Sequence, residues 1–332
     1  NNTTYVPSWN NPYMSNMYSK VMSPAKQVIE IAEADGEDMF VQWAKLLQVT
    51  AMSRVTAIHG PIIYSKYGTS GDVPYDSEPD LYNNFFTDLD AIVSTFSANT
   101  DYTQFKNFDA IYNGSVPHWI KYANSLRLQL AMRLVNVNPA LAKTQAEKAI
   151  SNAGGLITTN DQNFDLFLYG GIYKESRICF SWSDTRMSAS MESILGGYED
   201  PRVTAYFEPV TDASLVADHP NFPYKGIRNG ATMLAKDTRI VMSTISEDFK
   251  TVTKRRFFDA AEVHFMLAEG VLRRWNISGT AKAHYEMGVN ASFDYWGVGG
   301  ATAYLADNTK TPLDYDDVTV TGATNDFVSR IT

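Results

Sequence analysis

RRFFDAAEVHFMLAEGVLRRWNISGTAKAHYEMGVNASFDYWGV, residues 255 to 298, decides how this chain folds. In its first half Phe258, Ala261, Phe265, Ala268 and Leu272 recur at intervals of three and four, the spacing of one apolar helical face. Asn276 to Gly279 interrupts the pattern. The second half resumes it with Ala281, Tyr285, Gly288, Val289 and Ser292, whose small members allow two helices to approach closely. The stretch is predicted to be a helical hairpin.

Outward from it the same style repeats. A helix is expected over 24–34, stopped at Asp35-Gly36, and a longer one over 37–58 with Phe40, Trp43, Ala44, Leu47, Ala51 and Val55 on its buried stripe. Ser77, with Asp80 three residues on, starts a helix to about Phe96 whose apolar positions are Leu81, Phe85, Leu89, Ile92 and Phe96. Trp119, Ala123, Leu126, Leu130 and Leu134 mark the next helix. Asn138 as cap and Pro139 at the first helical position open its partner, with Leu141, Ala142, Ala146, Ala149 and Ile150. Helix pairs near 37–96, 116–153 and 255–298 thus predict a mainly α chain, a tetratricopeptide-like helical-repeat scaffold in a single domain over 1–332. Residues 156–254, rich in Gly, Asn, Ser and Tyr, form a loop-rich inserted lobe with one helix near Met187 to Leu195. Residues 1–18 have no period and read as irregular, anchored by Trp9 and Tyr13. The tail from Ala301 also reads as irregular.

Composition narrows the function. A net charge of −9 without a basic run argues against a nucleic-acid partner. The lone cysteine, Cys179, makes no internal disulfide and reads as a small buried hydrophobe. No apolar run approaches the roughly 20 residues that cross a bilayer. The chain opens at Asn1 without Met and stops at Arg330-Ile331-Thr332, so further sequence is expected on both sides, including a signal peptide or lipid-anchor cysteine upstream.

Catalysis has no motif to rest on. Glu262 and Glu269 share a helix face but stand about 10 Å apart along the axis, too far to hold one metal ion, and His264 lies about 200° round the helix from Glu262. Hydrogen bonding to a neighbouring helix is the expected role of the two glutamates. The histidines are scattered, and Gly68 to Gly71 lacks the ending of a phosphate loop. The excess is aromatic: 13% of the chain, with Tyr64, Tyr67, Tyr75 and Tyr82 around the first long loop and Tyr169, Tyr173, Trp182 and Tyr224 in the insertion. Flat aromatic faces flanked by polar side chains suit sugar rings, although packing of loops onto the scaffold uses the same residues. The ligand-binding candidates from this excess are Trp182, Tyr173 and Tyr169, with Arg177, Lys174 and Asp184 as polar partners.

Several stretches together resemble the SusD/RagB family, and within it the SusD-like branch. They are AEVHFMLAEG with Glu262, Phe265, Ala268 and Glu269; AHYEMGVNASF with Tyr285, Gly288, Ala291 and Ser292; Gly71-Asp72-Val73-Pro74-Tyr75; ANSLRLQLAMRL at 123–134; and Asp200-Pro201-Arg202. The resemblance implies four tetratricopeptide-like helix pairs, the fourth completed by the Met187 helix or the N-terminal one, and it directs the GDVPY stretch with Tyr75 and Asp76 towards the ligand face, which makes these two further ligand-binding candidates. It implies a non-catalytic, cofactor-free lipoprotein exposed on the outer membrane. Such a protein binds oligosaccharide or another nutrient beside a SusC-like TonB-dependent transporter, and meets the membrane only through a lipid anchor outside this sequence. A helical-repeat module for a protein or peptide partner within the same transporter complex is the alternative, and a glycoside hydrolase would need a carboxylate pair across a cleft.

Overall fold

The structure is a computed structural model that describes residues 7–167, 177–217, 219–229 and 236–314, without the side chains of residues 7 and 9–11. Its longer elements are α1 (Pro7–Met17), α2 (Ser23–Asp35), α3 (Asp38–His59), α4 (Glu78–Ala98), α5 (Val116–Arg133) and α6 (Pro139–Ile150). They continue with β1 (Phe164–Phe167), α7 (Ala189–Gly197), β2 (Lys254–Phe258), α8 (Ala260–Leu272), α9 (Ala281–Trp296) and α10 (Ala301–Ala306). Strands β1 and β2 pair as a small sheet. The chain divides into a helical unit, Val6–Leu166 with Arg256–Gly288, and a loop-rich unit that includes Phe167–Arg255 and the residues from Val289 onward.

In the helical unit α2 packs on α3, α3 on α4, α4 on α5, α5 on α6, and α8 on α5. The protein is mainly α, and this run is the helical-repeat scaffold. Local chemistry sets the helix ends. Gly36 adopts φ 72°, which an L side chain resists, and closes α2 by donating its amide to Ala32 and Glu33 carbonyls. The Ser77 hydroxyl accepts the Asp80 amide, Asn138 accepts that of Leu141, and Asp259 accepts that of Glu262 at 2.8 Å, so each satisfies an otherwise orphaned helix donor. Leu81, Phe85, Leu89, Ile92 and Phe96 of α4 are all fully enclosed. On α3 the burial is wider than one stripe: Leu46, Val49 and Met52 are as enclosed as Val55, while Phe40, Trp43 and Leu47 are only partly covered. Helices α2 and α4 both pack on α3, so more than one of its faces is used.

Several expectations are corrected. Residues 7–17 are helical, and a π turn, Tyr18–Met22, joins them to α2. Isolated aromatics fix this segment where no period does. Tyr13 stacks on His59 with ring centres 6.3 Å apart, and the Tyr18 hydroxyl donates to the Ile63 carbonyl and accepts its amide. The side chain of Trp9 lies outside the described residues. The N-terminal helices therefore join the run on α3, whereas α7 belongs to the loop-rich unit.

The buried side of α8 is turned from the one expected. Ala260, Val263, His264, Leu267 and Ala268 are covered, Phe265 is 39% exposed and Leu272 75% exposed. Apolar residues occur almost all round this helix, so spacing alone selects no single face. On α9 the covered positions are Val289 and Phe293, with Tyr285 half exposed. Within the tail, expected to be irregular, Ala301–Ala306 form the short helix α10, and the described residues beyond it, 307–314, are irregular.

The two glutamates of α8 part company. Glu262 meets the expectation by accepting a hydrogen bond from Gln129 Nε2 of α5 at 2.5 Å. Glu269 instead pairs with Arg273 of its own helix at 2.7 Å. His264 is buried and hydrogen-bonds the Thr158 carbonyl at 3.1 Å through Nε2.

Candidate functional site

The loop-rich unit is built on backbone hydrogen bonds among three short segments. Met187 donates to Ser243, Ile227 to Met187, Ala189 to Ile227, and Ser243 to Lys225. Gly226 is required in this ladder, because a β-carbon there would lie 2.4 Å from the Ser188 carbonyl oxygen. Beneath it Met187, Leu195, Val203 and Tyr224 form an apolar cluster. One ion pair lies inside: Lys225 Nζ is 2.9 Å from Glu192 Oε1, both side chains are 4% exposed, and the Gly226 amide donates to the other carboxylate oxygen. Burial pushes the Glu192 carboxyl above its ordinary range, against the opposing pull of Lys225 and the Gly226 amide.

This ladder carries a cleft of about 350 Å³ walled by residues 183–187, 227–229, Lys236, Arg239 and Ile240. Arg186 ties the walls together. Its guanidinium donates to the Arg239, Ile240 and Thr185 carbonyls and to the Ser183 hydroxyl. Ser183 is held at φ 54°, a left-handed conformation that costs a non-glycine residue about 1 kcal/mol. Lys236 pairs with Asp184 at 3.0 Å and donates to the Trp182 carbonyl. The Trp182 amide in turn donates to the Arg177 carbonyl at the end of the π turn Arg177–Ser181. Trp182 is thus 53% exposed on a tied backbone immediately before the cleft wall.

Of the candidate ligand residues, Trp182, Arg177 and Asp184 share this region, and Asp184 is a wall of the cleft. Tyr169, Tyr173 and Lys174 lie outside the described residues. Tyr75 and Asp76 belong to the helical unit. Tyr75 is 60% exposed, but Asp76 folds its own loop by accepting the Tyr64 and Ser65 amides and the Ser65 hydroxyl. Three other loop aromatics are packing residues. Tyr64 and Tyr82 are buried, Tyr64 donating to Asp88 at 2.6 Å, and Tyr224 belongs to the apolar cluster. Cys179 departs from the enclosed hydrophobe expected: it is half-buried, with its thiol 3.3 Å from the Thr185 hydroxyl. The local π turn leaves its side chain at the edge of the unit's cover.

Arg186, Arg228, Lys236 and Arg239 were not among the candidates read from sequence. Three of them fall within residues 228–239, a local basic concentration in an acidic chain that was legible but short. The motif Asp200-Pro201-Arg202 proves architectural. Arg202 forks onto the buried Asp200, donates to Ser292 of α9, and lies over the rings of Phe293 and Tyr304. Among the described residues no group of three or more His, Cys, Asp or Glu is placed to hold a metal ion, and no helix is long and apolar enough to cross a membrane.

A family model for SusD-like proteins, described as Susd and RagB outer membrane lipoprotein, matches residues 1–332. The chain belongs to the SusD-like family. Solved structures of other SusD-like proteins agree along its length. A chitin-binding SusD homolog from Flavobacterium johnsoniae is 40% identical with a TM-score of 0.87, covering 95% of this chain and 65% of its own. A SusD homolog from Bacteroides vulgatus is 32% identical with a TM-score of 0.86, covering 95% and 64%. A SusD-like protein from Bacteroides thetaiotaomicron is 28% identical with a TM-score of 0.85, covering 97% and 66%. This SusD-like chain therefore spans slightly less than two thirds of the length of each. No curated protein matches it by sequence.

Proposed function

We propose that this chain is the glycan-binding part of an outer-membrane SusD-like protein, and that it captures oligosaccharide in the cleft beside Trp182. The observation that carries the reading is the exposed Trp182 on a tied backbone next to a polar cleft, in a chain 40% identical to a chitin-binding homolog. An indole face covers the C–H face of a sugar ring, and the cleft groups meet its hydroxyls. Arg177 and Asp184 are the nearest polar candidates from the sequence, with Tyr169, Tyr173 and Lys174 in the same stretch of chain.

The protein acts by binding alone. Glycoside hydrolysis needs two carboxyl groups flanking the bond. Among the described residues lining the cleft Asp184 is the one carboxylate, and Lys236 already engages it. The bound sugar then passes to a SusC-like TonB-dependent transporter at the cell surface. Release demands modest affinity, micromolar to millimolar, or about 4 to 8 kcal/mol.

Calorimetric titration with chitin, plant and host oligosaccharides tests the reading. Saturable binding that Trp182→Ala weakens about fivefold or more is expected, because one aromatic platform contributes on the order of 1 kcal/mol. No affinity for any of them, or a variant indistinguishable from the parent, counts against it. Co-purification with the transporter barrel from membranes tests delivery.

A further inference from the structure

The cleft is lined by Arg186, Arg228, Lys236 and Arg239 and, among its described lining residues, by one carboxylate, Asp184. This occurs in a chain of net charge −9. At Arg186 and Arg239 no described carboxylate forms an ion pair. Asp184 is committed to Lys236. Among the described residues the hydrogen-bond acceptors of the Arg186 guanidinium are neutral carbonyl and hydroxyl oxygens, which fix the group in place without neutralising it. Burial and then the charge of Arg239 lower the Arg186 guanidinium below its ordinary range, with Asp184 opposing. Arg239 itself is half-buried, and no described residue hydrogen-bonds or ion-pairs with its side chain.

Two arginines lining one cleft, one fixed by neutral acceptors and the other with no described partner, supply the charge and N–H donors that an oxyanion needs. An uncharged chain such as chitin leaves their mutual repulsion in place, whereas a negative group relieves it. Arg186 is held from both sides of the wall, by the Arg239 carbonyl and by the hydroxyl of Ser183, itself in the left-handed region.

We propose that the cleft selects a glycan bearing negative charge, a uronic-acid carboxylate or a sulfate ester, with the oxyanion on Arg239 and a sugar ring on Trp182. The inference rests on the glycan-binding reading above and narrows its ligand class.

Calorimetry on the full chain separates the possibilities. Oligogalacturonate presents only carboxylates, sulfated galactan oligosaccharides only sulfates, and chitin and cellulose oligosaccharides neither. One of the two acidic sets is expected to bind at least about tenfold more tightly than any neutral one, with affinity falling as salt rises from about 50 to about 500 mM. Arg239→Gln is expected to remove about tenfold or more of that affinity, and Arg239→Lys to retain part of it. The Arg239 side chain holds no described partner, so an unchanged melting curve verifies that the fold is intact. A neutral oligosaccharide bound as tightly as the acidic ones, or acidic binding indifferent to Arg239→Gln, overturns the charge selectivity and leaves glycan binding standing. No binding to any oligosaccharide overturns both.

Discussion

The ring of Phe265 occupies the space that a side chain on Gly288 would need: a β-carbon there would lie 2.7 Å from Phe265 Cε1. Helices α8 and α9 meet at this point, and the Tyr285 ring completes the contact at 5.7 Å. Phe265 is partly exposed and so has some room to move, which sets the size of the effect. Gly288→Val is expected to destabilise the helical unit by about 1 to 3 kcal/mol, the ordinary range for overpacking. Phe265→Ala added to it should recover part of that loss. Urea unfolding of the single and double variants measures the coupling, and strictly additive effects would show that the two residues do not compete for space.

Arg202 should be hard to replace. Its partner Asp200 is 2% exposed, so Arg202→Ala leaves a carboxylate in the interior without its main counter-charge. The expected cost is about 3 kcal/mol or more, with Arg202→Lys intermediate because an ammonium cannot reproduce the fork. Thermal melting followed through the near-ultraviolet signal of Trp296, which packs edge-on against Tyr206, reads this unit.

Acid should loosen the first long loop. Burial raises the Asp76 carboxyl, but the Ser65 hydroxyl, the Tyr64 and Ser65 amides and the Lys66 charge outweigh it and hold the group below its ordinary value of about 3.8. A depressed carboxyl contributes stability above the unfolded value and loses it as pH falls towards the folded one. Amide exchange at Tyr64 and Ser65 is therefore expected to accelerate below about pH 4 beyond the intrinsic trend. In Asp76→Asn those amides should already exchange fast at neutral pH, with no such acid step.

His264 gives a pH dependence in a different window. Burial lowers it below its ordinary value of about 6.5, the Thr158 carbonyl opposes, and the stacked His284 lowers it further. The native state thus resists a proton that the unfolded chain accepts, so stability declines as pH drops through about 6.5 and levels off below the folded value. Titration of the His264 ring by NMR should give a midpoint below 6.5. A midpoint at or above it would falsify this assignment.

The Asp76 carboxylate shows how far sequence reading reaches at the candidate site. The family resemblance directs Asp76, which follows the aromatic-bearing GDVPY stretch, to the ligand face, yet its oxygens are taken up by backbone amides twelve and eleven positions upstream. Tyr64, Tyr82 and Tyr224 have the same composition signal and are buried. Trp182 carries it and is exposed. Residue type alone cannot divide these cases, because an aromatic covers a loop or a sugar through the same apolar face.

The sequence settles whatever depends on near neighbours along the chain. Ser77, Asn138, Asp259 and Gly36 place helix ends because capping acts within one turn, and the apolar period of α4 names five of its eight buried residues, the five with no exposure. The order of its motifs also carried the family. Tertiary structure alone decided which face of α8 is covered, since Phe265 and Leu267 are equally apolar and only the packing of α5 and α9 separates them. It also decided where charge remains. Lys225 and Glu192, thirty-three residues apart, cancel inside the loop-rich unit, while Arg186 and Arg239 converge on a cleft with the one described carboxylate in its walls already paired. Charge compensation depends on distance in space, and the linear order of residues does not contain it.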